Sequence, residues 1–312
     1  MRSFCGLICV SMLLMTISAP HALARESGTK TKFLDRIIQK KIQERQEKQE
    51  KEGSKEGFYK RGTGQSINET LGARSFITYL PKTYQSDNHA RPLLIVLHGG
   101  MGSAAQIKNY IGLDPLADQH DFVLAYLDGT QVARKLSDRF KGWNAGECCG
   151  VPKDENIDDI GYISDVIDYM HKTYNIDKSK IYGTGHSNGA MMTQRVICET
   201  DLYKDAITMS GTLQMDVETC PHAKGSRLMN IHGSEDKNLP PEGGHPTEGI
   251  NKRTQYTSQE FTQDVFKKSG LNYELLLLNG ADHSPNTLNE GLIKQRGQTL
   301  PETIIDYLGL DK

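Results

Sequence analysis

A serine stands between two glycines in Gly185-His186-Ser187-Asn188-Gly189. The residues before it, KIYGTG, read as a strand, and those after it, AMMTQRVICET, as a helix. A serine at such a junction must sit on a sharp turn. The residues two before and two after it then pass so close that only small side chains fit. The turn lifts the Ser187 hydroxyl clear of the backbone at a helix N-terminus, where the Asn188 N–H and the helix dipole can meet an oxyanion. The chemistry this permits is nucleophilic attack on a carbonyl carbon. Other readings of the glycine cluster are weaker. A dinucleotide fingerprint needs a third glycine where Asn188 stands, and a phosphate-binding loop needs a Gly-Lys-Ser/Thr ending. A plain helix cap is the structural alternative.

A serine hydroxyl needs a base, and the base needs an orienting acid. Two later strands end in suitable groups. RLMNIHGSED delivers Asp236, and YELLLLNGADH delivers His283. The order serine, acid, histidine suits a nucleophile at a strand-to-helix turn. Glu235 and Asp282 are the neighbouring carboxylates that compete for the acid's role. His186 and His232 are assigned structural or loop positions. A second oxyanion donor is expected after PLLIVLH, where His98-Gly99-Gly100 leaves the strand. An N–H near Gly100 or Met101 is expected to join that of Asn188, with His98 shaping the loop.

These groups require elements that hold them. Strands are expected at RSFITYLP, PLLIVLH, FVLAYLD, KIYGTG, AITMSG, RLMNIHG and YELLLLNG. Helices are expected at SAAQIKNYIGLDPLADQH, DIGYISDVIDYMHKTY, AMMTQRVICET, TSQEFTQDVFKKSG and LPETIIDYLGL. Continuous apolar strands alternating with helices predict an α/β fold, a mostly parallel central sheet covered by helices on both faces. The long segments 129–156 and 236–253 are expected to line a site.

The remaining sequence sets the context. The chain has 312 residues, with 37 basic and 39 acidic side chains, and this balance argues against a nucleic-acid partner. Residues 1–24 carry Arg2, an apolar run and a small-residue end at Ala22-Leu23-Ala24. That order predicts a cleaved secretory signal, a secreted or periplasmic protein, and no transmembrane segment after cleavage. Residues 25–56 form a charged helical arm or linker. Phe33, Leu34, Ile37, Ile38 and Ile42 make one apolar stripe, so residues 30–45 are the part that would dock on the domain or a partner. Residues 57–312 form the catalytic domain. Cys148, Cys149, Cys198 and Cys220 remain after cleavage. Adjacent cysteines rarely bridge, so a bond from Cys148 or Cys149 to Cys198 or Cys220 is expected, with free thiols as the alternative. Neither a metal nor an organic cofactor is expected.

Six blocks occur in order: VLHGGMGSA, GWNAGECCG, NIDDIGYISDVID, GHSNGAMM, HGSED and GADH. Together they resemble the secreted polyhydroxybutyrate depolymerase-like and feruloyl esterase-like α/β-hydrolases of the carbohydrate esterase family 1 type. The resemblance runs from about Phe58 to Leu310. It implies an α/β-hydrolase fold with Ser187 as nucleophile, Asp236 as acid, His283 as base and the His98-Gly99-Gly100 loop as oxyanion hole. It also implies that the Trp143 to Gly150 loop lies beside the site, held by Cys148-Cys149. Trp143 would then stack on a substrate ring or pin the loop, and Trp143 and His98 are the substrate-binding candidates. Asp158 and Asp159 are expected to cap a helix or fix a loop. Ser284-Pro285 replaces the Trp-Pro pair that members often carry after the histidine, so substrate preference is not carried over. The implied activity is hydrolysis of a small or oligomeric carboxylic ester through an acyl-enzyme. A feruloyl or acetyl-carbohydrate esterase, a serine peptidase, and a non-catalytic binding protein on the same scaffold are the alternatives.

Overall fold

The computed structural model describes residues 64–84, 89–133, 137, 139–249 and 252–312. The expected signal and the charged arm lie outside the described residues. Strands β1 (Gln65–Leu71) and β2 (Arg74–Leu80) form a hairpin that leads to β3 (Arg91–Leu97). Helices α1 (Ala104–Ile111) and α2 (Asp114–His120) then cross to β4 (Val123–Leu127). The short strands β5 (Thr130–Gln131) and β6 (Lys141–Gly142), with α3 (Gly150–Asp154), occupy the next long loop. Helix α4 (Asp159–Thr173), β7 (Ile176–His186), α5 (Asn188–Glu199), β8 (Asp205–Met209) and β9 (Arg227–Gly233) follow. Helix α6 (Gln259–Lys268), β10 (Asn272–Leu278), α7 (Pro285–Arg296) and α8 (Leu300–Leu308) complete the chain.

Eight strands form one sheet in the order β1-β2-β4-β3-β7-β8-β9-β10. The pairings β1–β2 and β2–β4 are antiparallel and the rest are parallel. The alternation of a central strand explains the layers. On β3, Leu93, Ile95 and Leu97 face one core with α4, α5 and α6 residues such as Val166, Val196 and Phe266. Leu94 and Val96 face the other core with α1, α7 and α8 residues such as Ile107, Leu292 and Ile304. Each such side chain contributes about 1.5–3 kcal/mol by leaving water. A strand buried on both faces therefore needs the continuous apolar run seen in PLLIVLH.

Several elements depart from the sequence reading. The first expected helix is two helices. Gly112, at φ 70°, closes α1 and returns its N–H to Lys108 O, and Pro115 opens α2. Strand β1 was not expected, because its QSINETL is polar and half exposed at a sheet edge. Helix α7 was also missed. Its first turn carries Pro285, which is tolerated there because an N–H at that position has no helical acceptor. Gly183 lies in β7 because a Cβ there would stand 2.4 Å from the Tyr203 ring.

The expected disulfide pairing is corrected. Cys198 bonds Cys220, and Cys148 bonds its neighbour Cys149. Cys198, near the end of α5, and Cys220 approach to 4.4 Å between Cα atoms. They satisfy each other, so among the described residues Cys148 and Cys149 have only one another as partner. Among the described residues no helix is long and apolar enough to cross a membrane. No cluster of three or more metal-ligating side chains is present among them either.

Candidate active site

Ser187 links β7 to α5 with φ 56° and ψ −121°, a conformation that costs a non-glycine residue about 1–3 kcal/mol. Its neighbours hold it there. The Ser187 N–H donates to Met209 O at 2.8 Å, and Ser187 O accepts from the Met191 N–H at 3.0 Å. The two flanking glycines are required by space. A Cβ on Gly185 would lie 2.5 Å from Gly189 O, and one on Gly189 would lie 2.3 Å from Leu97 O. Parallel pairing of β3 with β7 thus brings the elbow against the end of β3.

His283 and Asp236 come from the loops after β10 and β9, neighbouring parallel strands. His283 Nε2 lies 2.9 Å from Ser187 Oγ, and His283 Nδ1 lies 2.7 Å from Asp236 Oδ2. The Asn238 and Leu239 N–H groups donate to Asp236 Oδ1 at 2.9 and 2.8 Å. Burial alone would raise the Asp236 carboxyl. Hydrogen bonds from His232 and His283 outweigh it and hold the group well below the usual carboxylate range. The competing carboxylates are engaged elsewhere. Asp282 accepts from the Ser284 N–H and the Thr287 hydroxyl, and Glu235 is exposed.

His186 stands between these groups. Its Nε2 donates to His283 O at 2.8 Å, and the two rings lie 5.0 Å apart. Burial, together with the nearby His283, pushes the His186 imidazole down to about 3. It is therefore a neutral donor that fixes the main chain of His283.

The N–H groups of Gly100 and Asn188 have no protein acceptor among the described residues. The two residues are neighbours, since a Cβ on Gly100 would make ordinary van der Waals contact with Asn188 Cβ at 3.7 Å. The expectation for Met101 is corrected. Its N–H donates to Lys141 O at 2.8 Å, because β6 pairs back onto this loop through a Gly102–Lys141 bridge.

The two substrate-binding expectations are also corrected. Trp143 is fully buried, and its indole N–H donates to His98 O at 2.9 Å. It pins the loop and offers no stacking face. His98 is equally buried. Its Nε2 accepts from the Gly129 N–H at 3.0 Å, so Nδ1 carries the proton toward Gly99 O at 2.7 Å. Burial pushes this imidazole down to about 4, and it stays neutral.

Sequence reasoning missed the role of the Asn188 side chain. It accepts from the Trp143 N–H at 2.7 Å and donates to Trp143 O at 3.1 Å. This clamp joins the elbow to the Trp143–Gly150 loop. No motif announces it, because an asparagine after the serine carries no spacing signal. Asp158 and Asp159 divide the expected tasks. Asp158 caps α4 through the Gly161 N–H, and Asp159 accepts the Asn144 N–H at 2.6 Å.

Residues 150–222 match the prolyl oligopeptidase family. A putative esterase, NocK, of Nocardia uniformis subsp. tsuyamanensis is 29% identical over 157 residues, 49% of this chain and 42% of the relative. Feruloyl esterase B of Piromyces equi is 26% identical over 175 residues, 55% of this chain and 31% of the relative. The chain thus spans less than half the length of these curated relatives. Among solved structures, LpqC, a poly(3-hydroxybutyrate) depolymerase of Bordetella parapertussis, superposes with a TM-score of 0.51 at 15% identity. That superposition covers 77% of this chain and 92% of LpqC. The likeness to LpqC shows the fold. The chain thus has an α/β-hydrolase fold and is similar, over about half its length, to esterases.

Proposed function

We propose that this chain is an exported serine esterase that cleaves carboxylic esters through an acyl-enzyme. The reading is supported chiefly by the unbroken run of hydrogen bonds from Ser187 Oγ through His283 to Asp236. Ser187 Oγ attacks the ester carbonyl carbon while its proton passes to His283 Nε2. The carbonyl π electrons move to oxygen, and the N–H groups of Gly100 and Asn188 receive that oxyanion. Collapse of the intermediate breaks the bond to the alkoxy group, which leaves as an alcohol with the proton from His283. Water then attacks the acyl-enzyme by the same path, giving the carboxylic acid and free Ser187. Asp236 holds the His283 tautomer and offsets the imidazolium charge. No step calls for a cofactor. Export rests on the signal read at residues 1–24.

The substrates proposed are acyl esters of the kinds named for the relatives and neighbour: hydroxybutyrate oligomers, feruloyl esters and acetylated xylan. The match to the prolyl oligopeptidase family favours a second reading, a serine peptidase with the same three residues. A fluorophosphonate probe tests the chemistry. Wild type is expected to label and Ser187→Ala is not; an unlabelled folded wild type would sink the esterase and peptidase readings together. A panel of p-nitrophenyl esters, methyl ferulate, acetylated xylan, hydroxybutyrate oligomers and peptide amides separates the two. Turnover confined to amides would replace the esterase by the peptidase.

A further inference from the structure

A second histidine reaches the carboxylate of Asp236 from beneath. His232 stands near the C-terminal end of β9 and is fully buried. Its Nε2 lies 2.9 Å from Leu239 O and 3.3 Å from Asp236 Oδ2. On the other side of the ring, Nδ1 lies 2.8 Å from Gln259 Nε2.

The partners of Gln259 decide where the ring proton sits. Gln259 Oε1 accepts from the Tyr273 hydroxyl at 3.0 Å and from Asn230 Nδ2 at 2.8 Å. Gln259 Nε2 also donates to Gly211 O at 2.9 Å. The carbonyl end of this amide is therefore fully used, and its NH2 group is what faces His232. A donor facing Nδ1 makes that nitrogen the acceptor, so the proton resides on Nε2. The ring thus directs its Nε2–H at Leu239 O, with Asp236 Oδ2 3.3 Å away.

Two things follow for the carboxylate. Asp236 accepts three hydrogen bonds, from the Asn238 and Leu239 N–H groups on Oδ1 and from His283 on Oδ2, and His232 Nε2 adds a fourth polar contact 3.3 Å from Oδ2. The acid loop is also tied to the serine's support. Asn230 Nδ2 and Gln259 Nε2 both hold Gly211 O, and Gly211 packs so tightly on α5 that a Cβ there would lie 2.5 Å from Ala190 Cβ.

We propose that His232, locked by Gln259 as its Nε2–H tautomer, is a positioning residue that orients Asp236 toward His283 and spreads its charge. This rests on the roles given above to Ser187, His283 and Asp236. The other titratable groups nearby are His186, against the His283 ring, and the exposed Glu235, Lys237 and Asp282. None of them replaces the His232 donor. Without it, the charge of Asp236 concentrates on the oxygen that faces His283. The imidazolium is then held more tightly, and the carboxylate is freer to turn.

Steady-state hydrolysis of p-nitrophenyl acetate by the full chain, measured across pH 4 to 9, tests this. In His232→Phe, kcat is expected to fall about tenfold, the loss typical of one hydrogen bond to a charged group, with KM little changed. The acid limb of kcat/KM moves to higher pH, because a more tightly held imidazolium gives up its proton later. His232→Gln keeps a donor near the Nε2 position and is expected to recover most of the rate. Wild-type kcat and an unmoved acid limb in His232→Phe overturn the proposal. Equal losses in the Phe and Gln variants with an unmoved limb also overturn it, since they mark a space-filling role. Should His232→Phe not fold, nitrogen-15 NMR of the wild type decides. A His232 with its proton on Nε2 and a bare Nδ1 at pH 8 upholds the inference, and a proton on Nδ1 defeats it. Fluorophosphonate labelling runs beside these assays. An unlabelled wild type defeats the esterase reading itself, whereas a labelled wild type with unaltered His232 variants defeats this inference alone.

Discussion

The relay from Ser187 to Asp236 runs from side chain to side chain, whereas the proposed oxyanion donors are main-chain amides. Ser187, His283 and Asp236 are joined by side-chain hydrogen bonds, and His232, bonded to Gln259, brings its Nε2 to 3.3 Å from Asp236 Oδ2. The proposed oxyanion donors, Gly100 and Asn188, act through N–H groups that any residue but proline possesses. Their placement depends on steric closeness between the end of β3 and the elbow. Side-chain chemistry is specific to residue type, so a substitution removes it outright. Main-chain chemistry has to be attacked through whatever positions the backbone. Here that is the Asn188–Trp143 clamp and the buried pair of Trp143 and His98.

The two sides should therefore fail differently. Asp236→Asn is expected to have the largest effect, lowering kcat about 10⁴-fold while KM stays near wild type. Retained activity would move the acid's role to Glu235 or Asp282. Asn188→Leu strikes the other side. It leaves the buried Trp143 N–H without its acceptor, while Trp143 O keeps only the Cys149 N–H, and this costs about 1–3 kcal/mol. A lower melting temperature and a fall of roughly tenfold in kcat are expected, with fluorophosphonate labelling retained. Unchanged stability would show that the clamp contributes nothing. Trp143→Phe is milder. It removes the bond to His98 O, at about 1 kcal/mol, and should leave KM for aryl esters unaltered. A several-fold rise in that KM would return Trp143 to the substrate surface.

Acid should also reach the two sides together. Burial depresses His98 to about 4 and His186 to about 3, from an ordinary value near 6.5. Below that value the unfolded chain binds protons that the folded chain refuses. The stability these rings contribute is complete above about pH 6.5 and declines as pH falls toward their folded values. Each ring supplies a slope of up to about 1.4 kcal/mol per pH unit. Melting temperatures measured between pH 7 and 5 should fall steadily, and less steeply in His186→Asn. Equal slopes in both proteins would exclude a buried neutral His186.

How much was legible follows the same division. Gly185, Ser187, Gly189, Asp236 and His283 could be read because a strained turn and a proton relay admit few residue types. Continuous apolar strands such as PLLIVLH marked the parallel sheet. Met101 was read as a donor because nothing in the sequence says that β6 folds back to accept its N–H. Trp143 and His98 were read as substrate contacts because an indole or imidazole suits a pocket and a core equally well. The Cys148–Cys149 pair was rejected on general grounds and settled by where Cys198 and Cys220 lie.

By itself, then, the sequence determined the kinds of chemistry and the order of elements. The elbow glycines, the strand periodicity and the acid and histidine after later strands are local signals with few physical solutions. Tertiary structure alone decided which amides remain free, which histidines are buried and neutral, and which cysteines meet. Each of those outcomes depends on what packs against a residue from a distant segment, and packing between distant segments leaves no mark on local sequence.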